Sequence, residues 1–227
     1  MKNLSLWLLI AYAQFAGAGP QPDCPQLNCP QPNCPQPDWM QPNWTYVTGR
    51  AGIRVYHRPV EGSRIKALKA ECEIAASVSE VVALIMDVGA AGKWVCHTKS
   101  CTLIRKISAT ELYYYTEVSL SWPLDNRDFV THLKVSEDLV TKIVTIQAPA
   151  IPGHLPVRKG IVRVSKSQST WIIAPAGAQT TRVVYTLQVD PGGAIPAHIV
   201  NIFACQGPVE TFLGMKKELK ARQQIEK

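Results

Sequence analysis

Side chains able to do acid–base or metal chemistry are few in this chain, and they are scattered. Its five histidines, His57, His97, His132, His154 and His198, stand in no spacing that pairs one with a nucleophile or a second metal ligand. Cys96-His97 followed by Cys101 comes nearest to a metal pattern. It is a weak one, because adjacent residues rarely ligate one ion together. The sequence has no G-x-S-x-G elbow, no glycine-rich phosphate loop and no H-E-x-x-H. Among the carboxylates Glu117 stands out, on one strand face with Tyr113, Tyr115 and Ser119, opposite Tyr114, Thr116, Val118 and Leu120. Such a face either meets solvent or lines a wet cavity. The pattern alone reads as surface, since charged side chains are seldom buried without partners. In a cavity, Glu117 and Tyr115 would be the two proton-transfer candidates. No catalytic group, metal centre or cofactor is expected from these patterns.

The stretch SWPLDNRDFV, residues 121–130, crowds polar groups between two apolar runs. It reads as a turn: Pro123 ends one strand, Asn126 suits the bend, and Phe129 and Val130 begin the next strand. Arg127 and Asp128 are expected to bond neighbouring backbone or side chains, with no catalytic role.

The elements that must position these groups occupy only part of the 227 residues. Residues 1–18 have the form of a secretory signal: Lys2, an apolar run from Leu4 to Ala13, and the small residues Ala16-Gly17-Ala18. An uncleaved anchor is the rival, although the run is about half the ~20 residues a spanning helix needs. Export to the periplasm or the exterior is the expectation. A linker follows over 19–44, where the repeat PQPDC, PQLNC, PQPNC, PQPDW, MQPNW fills residues 20–44. Proline this dense fixes φ and removes donors, so the repeat should be extended spacer. Its Cys24, Cys29 and Cys34 offer a route to disulfide-linked self-association, with metal binding least favoured and repeat by-products the plain reading. Export would also let Cys96 and Cys101 pair; two small buried side chains are the equal alternative.

From residue 45 to 227 the patterns are those of one α+β domain. Leu68, Ala70, Cys72 and Ile74 alternate with Lys69, Glu71 and Glu73, a half-buried strand. Ser77 and Glu80 form a capping box ahead of Val78, Val81, Val82 and Ile85, a short helix ending near Gly89. Strands are expected over 101–107, 111–120, 128–136, 139–147, 159–166, 169–174 and 180–189, mostly antiparallel neighbours. The segment 148–157, APAIPGHLPV, is a loop whose apolar content suggests that it covers something. A long helix after Pro196 carries an apolar stripe through Ile199, Ile202, Phe203, Val209, Phe212, Leu213 and Leu219, with a bend at Gly207-Pro208. Lys216, Lys217, Lys220 and Arg222 gather towards its end. A net charge of +7 suits anionic surfaces. With 7% aromatic residues and no zinc-finger or RGG spacing, nucleic acid is not an expected partner.

In order and spacing, Trp94, WPLDNRDFV at 122–130, Lys159-Gly160 with Val162-Arg163, Trp171 and DPGGAIPAHIVN at 190–201 resemble the START (steroidogenic acute regulatory protein-related lipid transfer) domain. The resemblance spans about residues 44–222, is nearest to the stand-alone, phosphatidylcholine-transfer type, and places the chain in the Bet v 1-like helix-grip superfamily. It implies a helix-grip fold: a curved antiparallel sheet wrapped around the C-terminal helix, enclosing a hydrophobic tunnel. It further implies non-catalytic binding and transfer or sensing of one lipid, phospholipid or sterol-like, with the C-terminal helix and the 148–157 loop gating access. Transient contact with an anionic membrane surface goes with that reading. The lining residues it implies are Tyr115, Glu117, Phe129, Thr131, Leu133, Ile199, Ile202, Phe203 and Phe212. Glu117 matches the buried acid of sterol-binding members, whereas Leu133 stands where their arginine would be, so the ion pair is absent. An unpartnered Glu117 in the tunnel should have a raised pKa and be able to donate a hydrogen bond. Two alternatives remain: a polyketide cyclase or aromatase of the same fold, and an interaction module working through the Cys-Pro spacer.

Overall fold

The computed structural model describes residues 43–122, 124–193, 195, 200–201 and 206–225. The signal, the repeat up to residue 42 with its three cysteines, and Ile199, Ile202 and Phe203 lie outside the described residues. Ten strands form one sheet. They are β1 (Thr45–Arg50), β2 (Ile53–Val60), β3 (Ser63–Ile74), β4 (Thr98–Lys106), β5 (Glu111–Val118), β6 (Asn126–Glu137), β7 (Val144–Gln147), β8 (Ile161–Arg163), β9 (Lys166–Gly177) and β10 (Thr180–Asp190). Their order is β1-β2-β3-β10-β9-β7-β6-β5-β4, with β8 alongside β6. Every pairing is antiparallel except β6 with β8, a short parallel addition to the expected antiparallel sheet. The sheet is open, with β1 and β4 at its edges.

Between β3 and β4 the chain crosses the sheet through α1 (Val78–Met86), a 3-10 turn (Val88–Ala90) and α2 (Ala91–Trp94). The predicted capping box starts α1: Ser77 Oγ accepts from the Glu80 amide, and the Glu80 carboxylate accepts from the Ser77 amide. These are two of the donors that a helix N-terminus otherwise leaves unmet. The C-terminal helix α3 (Gln206–Ile225) packs on α1, α2, β2 and β3. It buries Val209, Phe212, Met215 and Leu219, each such side chain contributing about 1.5–3 kcal/mol. The expected bend at Gly207-Pro208 borders residues outside the described set. A glycine is required where α3 meets α2. A Cβ at Gly214 would stand 2.5 Å from the Trp94 carbonyl oxygen and 2.9 Å from its Cα.

Several boundaries differ from the sequence reading: β4 starts at Thr98 instead of 101, β9 runs over Lys166–Gly177 instead of 169–174, and two strands shorten. The strand expected over 139–147 begins only at Val144. The Asp138 carboxylate accepts from the amides of Val140 and Thr141, and Lys142 turns left-handed at φ 59°, so residues 138–143 make a turn. The strand expected over 159–166 shortens to Ile161–Arg163, because it pairs only with the start of β6.

Candidate functional site

A cavity of about 220 Å³ lies between the inner sheet face and the α1–α2 crossing. Ile85, Val88, Ala91 and Trp94 line it from the crossing, Val95 from the residue after it and Thr98 from the start of β4. The sheet supplies Tyr114, Thr116 and Val118 of β5, Phe129, Thr131 and Leu133 of β6, Ser169 and Trp171 of β9, and Tyr185, Leu187 and Val189 of β10. Strand alternation explains this set: positions two apart on β5 and β6 share the inner face. Trp171 joins the cavity to the core through ring contacts with Tyr185 at 4.2 Å, Phe212 at 5.8 Å and Trp94 at 6.0 Å.

The described lining is apolar with a few hydroxyl groups and no Asp, Glu, His, Lys or Arg. Burial raises the Tyr114 phenol above its ordinary pKa and pushes that of Tyr185 up to about 12, so both stay protonated donors at neutral pH. Cys101 Sγ lies 3.2 Å from Thr116 Oγ1, and Ser169 donates to the Ala148 carbonyl at 3.2 Å. Two buried polar atoms of the lining, Trp94 Nε1 and Thr98 Oγ1, have no hydrogen-bond partner. Such groups are costly to bury unless something accepts from them.

The implied lining residues divide. Phe129, Thr131 and Leu133 are in the cavity wall. Phe212 is fully buried just behind Trp171. Tyr115 and Glu117 point the other way, to the outer face of β5. There Glu117 accepts from Lys99 Nζ and Asn126 Nδ2, each at 2.8 Å. Hydrogen bonds from Lys99 and then Asn126 hold its carboxyl below the usual range, the reverse of the rise expected in a tunnel. Tyr115 lies under the Arg158 guanidinium, 4.5 Å from the ring centroid. The reason is the phase of the strand: a one-residue shift in alignment exchanges the two faces. Cys96 and Cys101 are free thiols with separate partners, Glu210 and Thr116.

Arg127 and Asp128 reach further than their neighbours. Arg127 donates to the carbonyls of Asp125, Pro191 and Gly192, tying the start of β6 to the end of β10. Asp128 accepts two bonds from Arg163, Nε at 2.6 Å and Nη2 at 3.0 Å. Arg163 also donates to the carbonyls of Pro152, Leu155 and Pro156. This buried pair therefore holds the 148–157 loop, whose Ala148 lines the cavity. Nothing in the spacing of Asp128 and Arg163 announces that role.

The START domain family model matches residues 32–225 of this chain. Among curated proteins, the chain is 31% identical over 171 residues to Uncharacterized protein PA1579 of Pseudomonas aeruginosa, covering 75% of this chain and 84% of that one. It is 31% identical over 146 residues to the phosphatidylcholine transfer protein of Mus musculus, covering 63% of this chain and 65% of that protein. Among solved structures, the STAR-related lipid transfer protein of Xanthomonas axonopodis matches with a TM-score of 0.73 at 30% identity, over 78% of this chain and 99% of that fragment.

Proposed function

Since this chain belongs to the START domain family, a family of lipid binding and transfer, we propose that it holds one lipid without chemical change, as a carrier or a sensor. The observation that carries the reading is the cavity: mostly apolar, and without an ionic group among its described lining residues. Each methylene moved there from water contributes about 0.8 kcal/mol, so an acyl chain or ring system supplies the driving force. Trp94 Nε1 and Thr98 Oγ1 would meet an oxygen of the ligand, such as an ester carbonyl or a hydroxyl. A phospholipid or a sterol-like molecule offers such groups. At about 220 Å³ the space is not far above the ~150 Å³ of an apolar cavity that binds one benzene. Uptake of a whole lipid must therefore widen it. The 148–157 loop and α3 are the elements we assign to that movement.

Docking on an anionic bilayer would use the exposed Lys217 and Lys220 of α3, while Lys216 donates to the Ala51 carbonyl. Each basic residue at such a surface contributes about 1 kcal/mol. Reversing the charge of Lys217 and Lys220 should slow transfer between anionic vesicles. Export, and self-association through Cys24, Cys29 and Cys34, rest on residues 1–44 alone. The first is checked by the N-terminus of the mature protein, the second by electrophoresis without reductant.

Organic extraction of the purified protein followed by mass spectrometry tests the central reading. About one equivalent of a lipid per chain is expected, and retention of fluorescent lipid analogues should compete with it. A protein that is empty and retains none of the analogues would refute it. The cyclase alternative gains no support from the site, because its two candidate groups, Glu117 and Tyr115, face away from the cavity.

A further inference from the structure

Outside the cavity, one cluster of metal-ligating side chains joins parts of the chain far apart in sequence. Cys96 and His97 lie between α2 and β4, and Glu210 lies in the first turns of α3. The Cys96 thiol, one His97 ring nitrogen and one Glu210 carboxylate oxygen all fall within 4.8 Å of one another. We propose that these three side chains bind a divalent zinc-type cation that fastens α3 to the α2–β4 junction.

Adjacent residues on extended backbone point apart, which is why Cys96-His97 reads weakly as a metal pattern. Here His97 has a left-handed backbone at φ 58°, and that turns the two side chains to one side. Both are held by their backbones. The Cys96 amide donates to Thr211 Oγ1 at 3.1 Å, and the His97 carbonyl accepts from the Ser119 amide at 2.9 Å. The close approach of Gly214 to Trp94 fixes α3 against the same junction. Bonds of 2.0–2.3 Å to a tetrahedral ion put ligand atoms about 3.3–3.8 Å apart, so closing on the ion needs shifts that change a ligand–ligand separation by about 1.5 Å at most. His97 and Glu210 are exposed and free to make them.

The donor set of one sulfur, one imidazole nitrogen and one carboxylate oxygen suits zinc, with water completing four-coordination. In the metal-free protein the Cys96 thiol donates to Glu210 Oε2 at 2.8 Å. On binding, the S–H bond breaks, the proton leaves to solvent and a sulfur–metal bond forms. A thiolate and a carboxylate then balance the dication. Val95 and Thr98, on either side of the two ligands, line the cavity, so the ion would brace its wall from outside. Binding of the metal itself does not depend on the lipid-carrier reading.

The test is a titration of the reduced, metal-stripped full chain with Co²⁺, read by thiolate-to-cobalt absorption and competed by Zn²⁺. One equivalent with that absorption is expected. Cys96→Ser should abolish the absorption. His97→Ala and Glu210→Gln, both at exposed positions, should weaken binding more than about 100-fold, since even outer partners of metal ligands matter by 10–100-fold. The triple variant Cys24→Ser, Cys29→Ser, Cys34→Ser should keep it. Amide exchange over residues 207–213 should slow when Zn²⁺ is added to the parent and stay unchanged in Glu210→Gln. Absorption that persists in Cys96→Ser, that vanishes with the repeat cysteines, or that is indifferent to both His97→Ala and Glu210→Gln overturns the proposal. Lipid content does not enter these readouts, so failure here leaves the carrier reading standing.

Discussion

Replacing Arg163 tests whether one ion pair holds the 148–157 loop. The side chains of Arg163 and Asp128 are only 6% and 1% exposed. Arg163→Met keeps most of the apolar stem and removes the charge, leaving Asp128 buried without its two guanidinium donors. Removing one partner of a buried pair costs about 3–5 kcal/mol, because the other charge is stranded. In a domain of this size each kcal/mol moves the melting temperature by about 2–4 °C, so melting should fall by roughly 6–20 °C. The same guanidinium holds the carbonyls of Pro152, Leu155 and Pro156, so amide exchange at Gly153, His154, Leu155 and Val157 should rise with it. Adding Asp128→Leu removes the stranded charge. The double variant should recover most of the lost melting temperature, since apolar replacement of a whole pair is often neutral. Its loop should still exchange fast, because the guanidinium that donated to the loop carbonyls remains missing. A single variant that melts within about 2 °C of the parent would falsify the reasoning on stability. Restored loop protection in the double variant would place the hold on the loop elsewhere.

Glu117→Gln should leave lipid content unchanged, because the carboxylate is on the outer face, and should lower stability by no more than about 1 kcal/mol, since Lys99 is half exposed. Its pKa is depressed in the folded protein, so its contribution is present above the unfolded-state value and is lost as pH falls through the folded one. Acid unfolding curves of parent and variant should therefore converge at low pH; curves that stay parallel from neutral pH to below the folded pKa count against the Lys99 and Asn126 bonds as the cause. Gly214→Ala gains about 1 kcal/mol in helix propensity but meets Trp94 backbone, and overpacking of about 1–3 kcal/mol should leave a net loss in denaturant melts. An unchanged or raised midpoint would mean that the two helices part easily. Leu133→Trp fills the cavity and should cut co-purifying lipid to less than a tenth of the parent's while circular dichroism stays that of a folded domain. Full lipid content in that folded variant would move the ligand to another place.

What the sequence makes legible follows from which physical signals are local. The capping box at Ser77 and Glu80, the alternation of β3 and the apolar stripe of α3 involve residues a few positions apart; the first two stand in the structure, and so does the described part of the stripe, where Val209, Phe212 and Leu219 are buried. The boundary of β7 is local too, but it depends on Asp138 bonding the amides of Val140 and Thr141, which a hydrophobic pattern does not register. The partners that shape the site are distant: Asp128 and Arg163 are 35 positions apart, Cys96 and Glu210 114. No spacing rule brings them together; sheet order and helix docking do. Glu117 shows the remaining kind of difficulty. Its strand was readable, and the alternation of its side chains was readable, but alternation has two phases. The bare pattern reads Glu117 as outward, and the family alignment reads it as inward. Its two partners decide the matter, since Lys99 on β4 and Asn126 at the start of β6 both reach it on the outer face. A strand's period is written in its own residues, but its phase is set by what covers each face. An aligned acid is therefore a binding residue only when its neighbours on the adjacent strands leave it unpaired on the inner side.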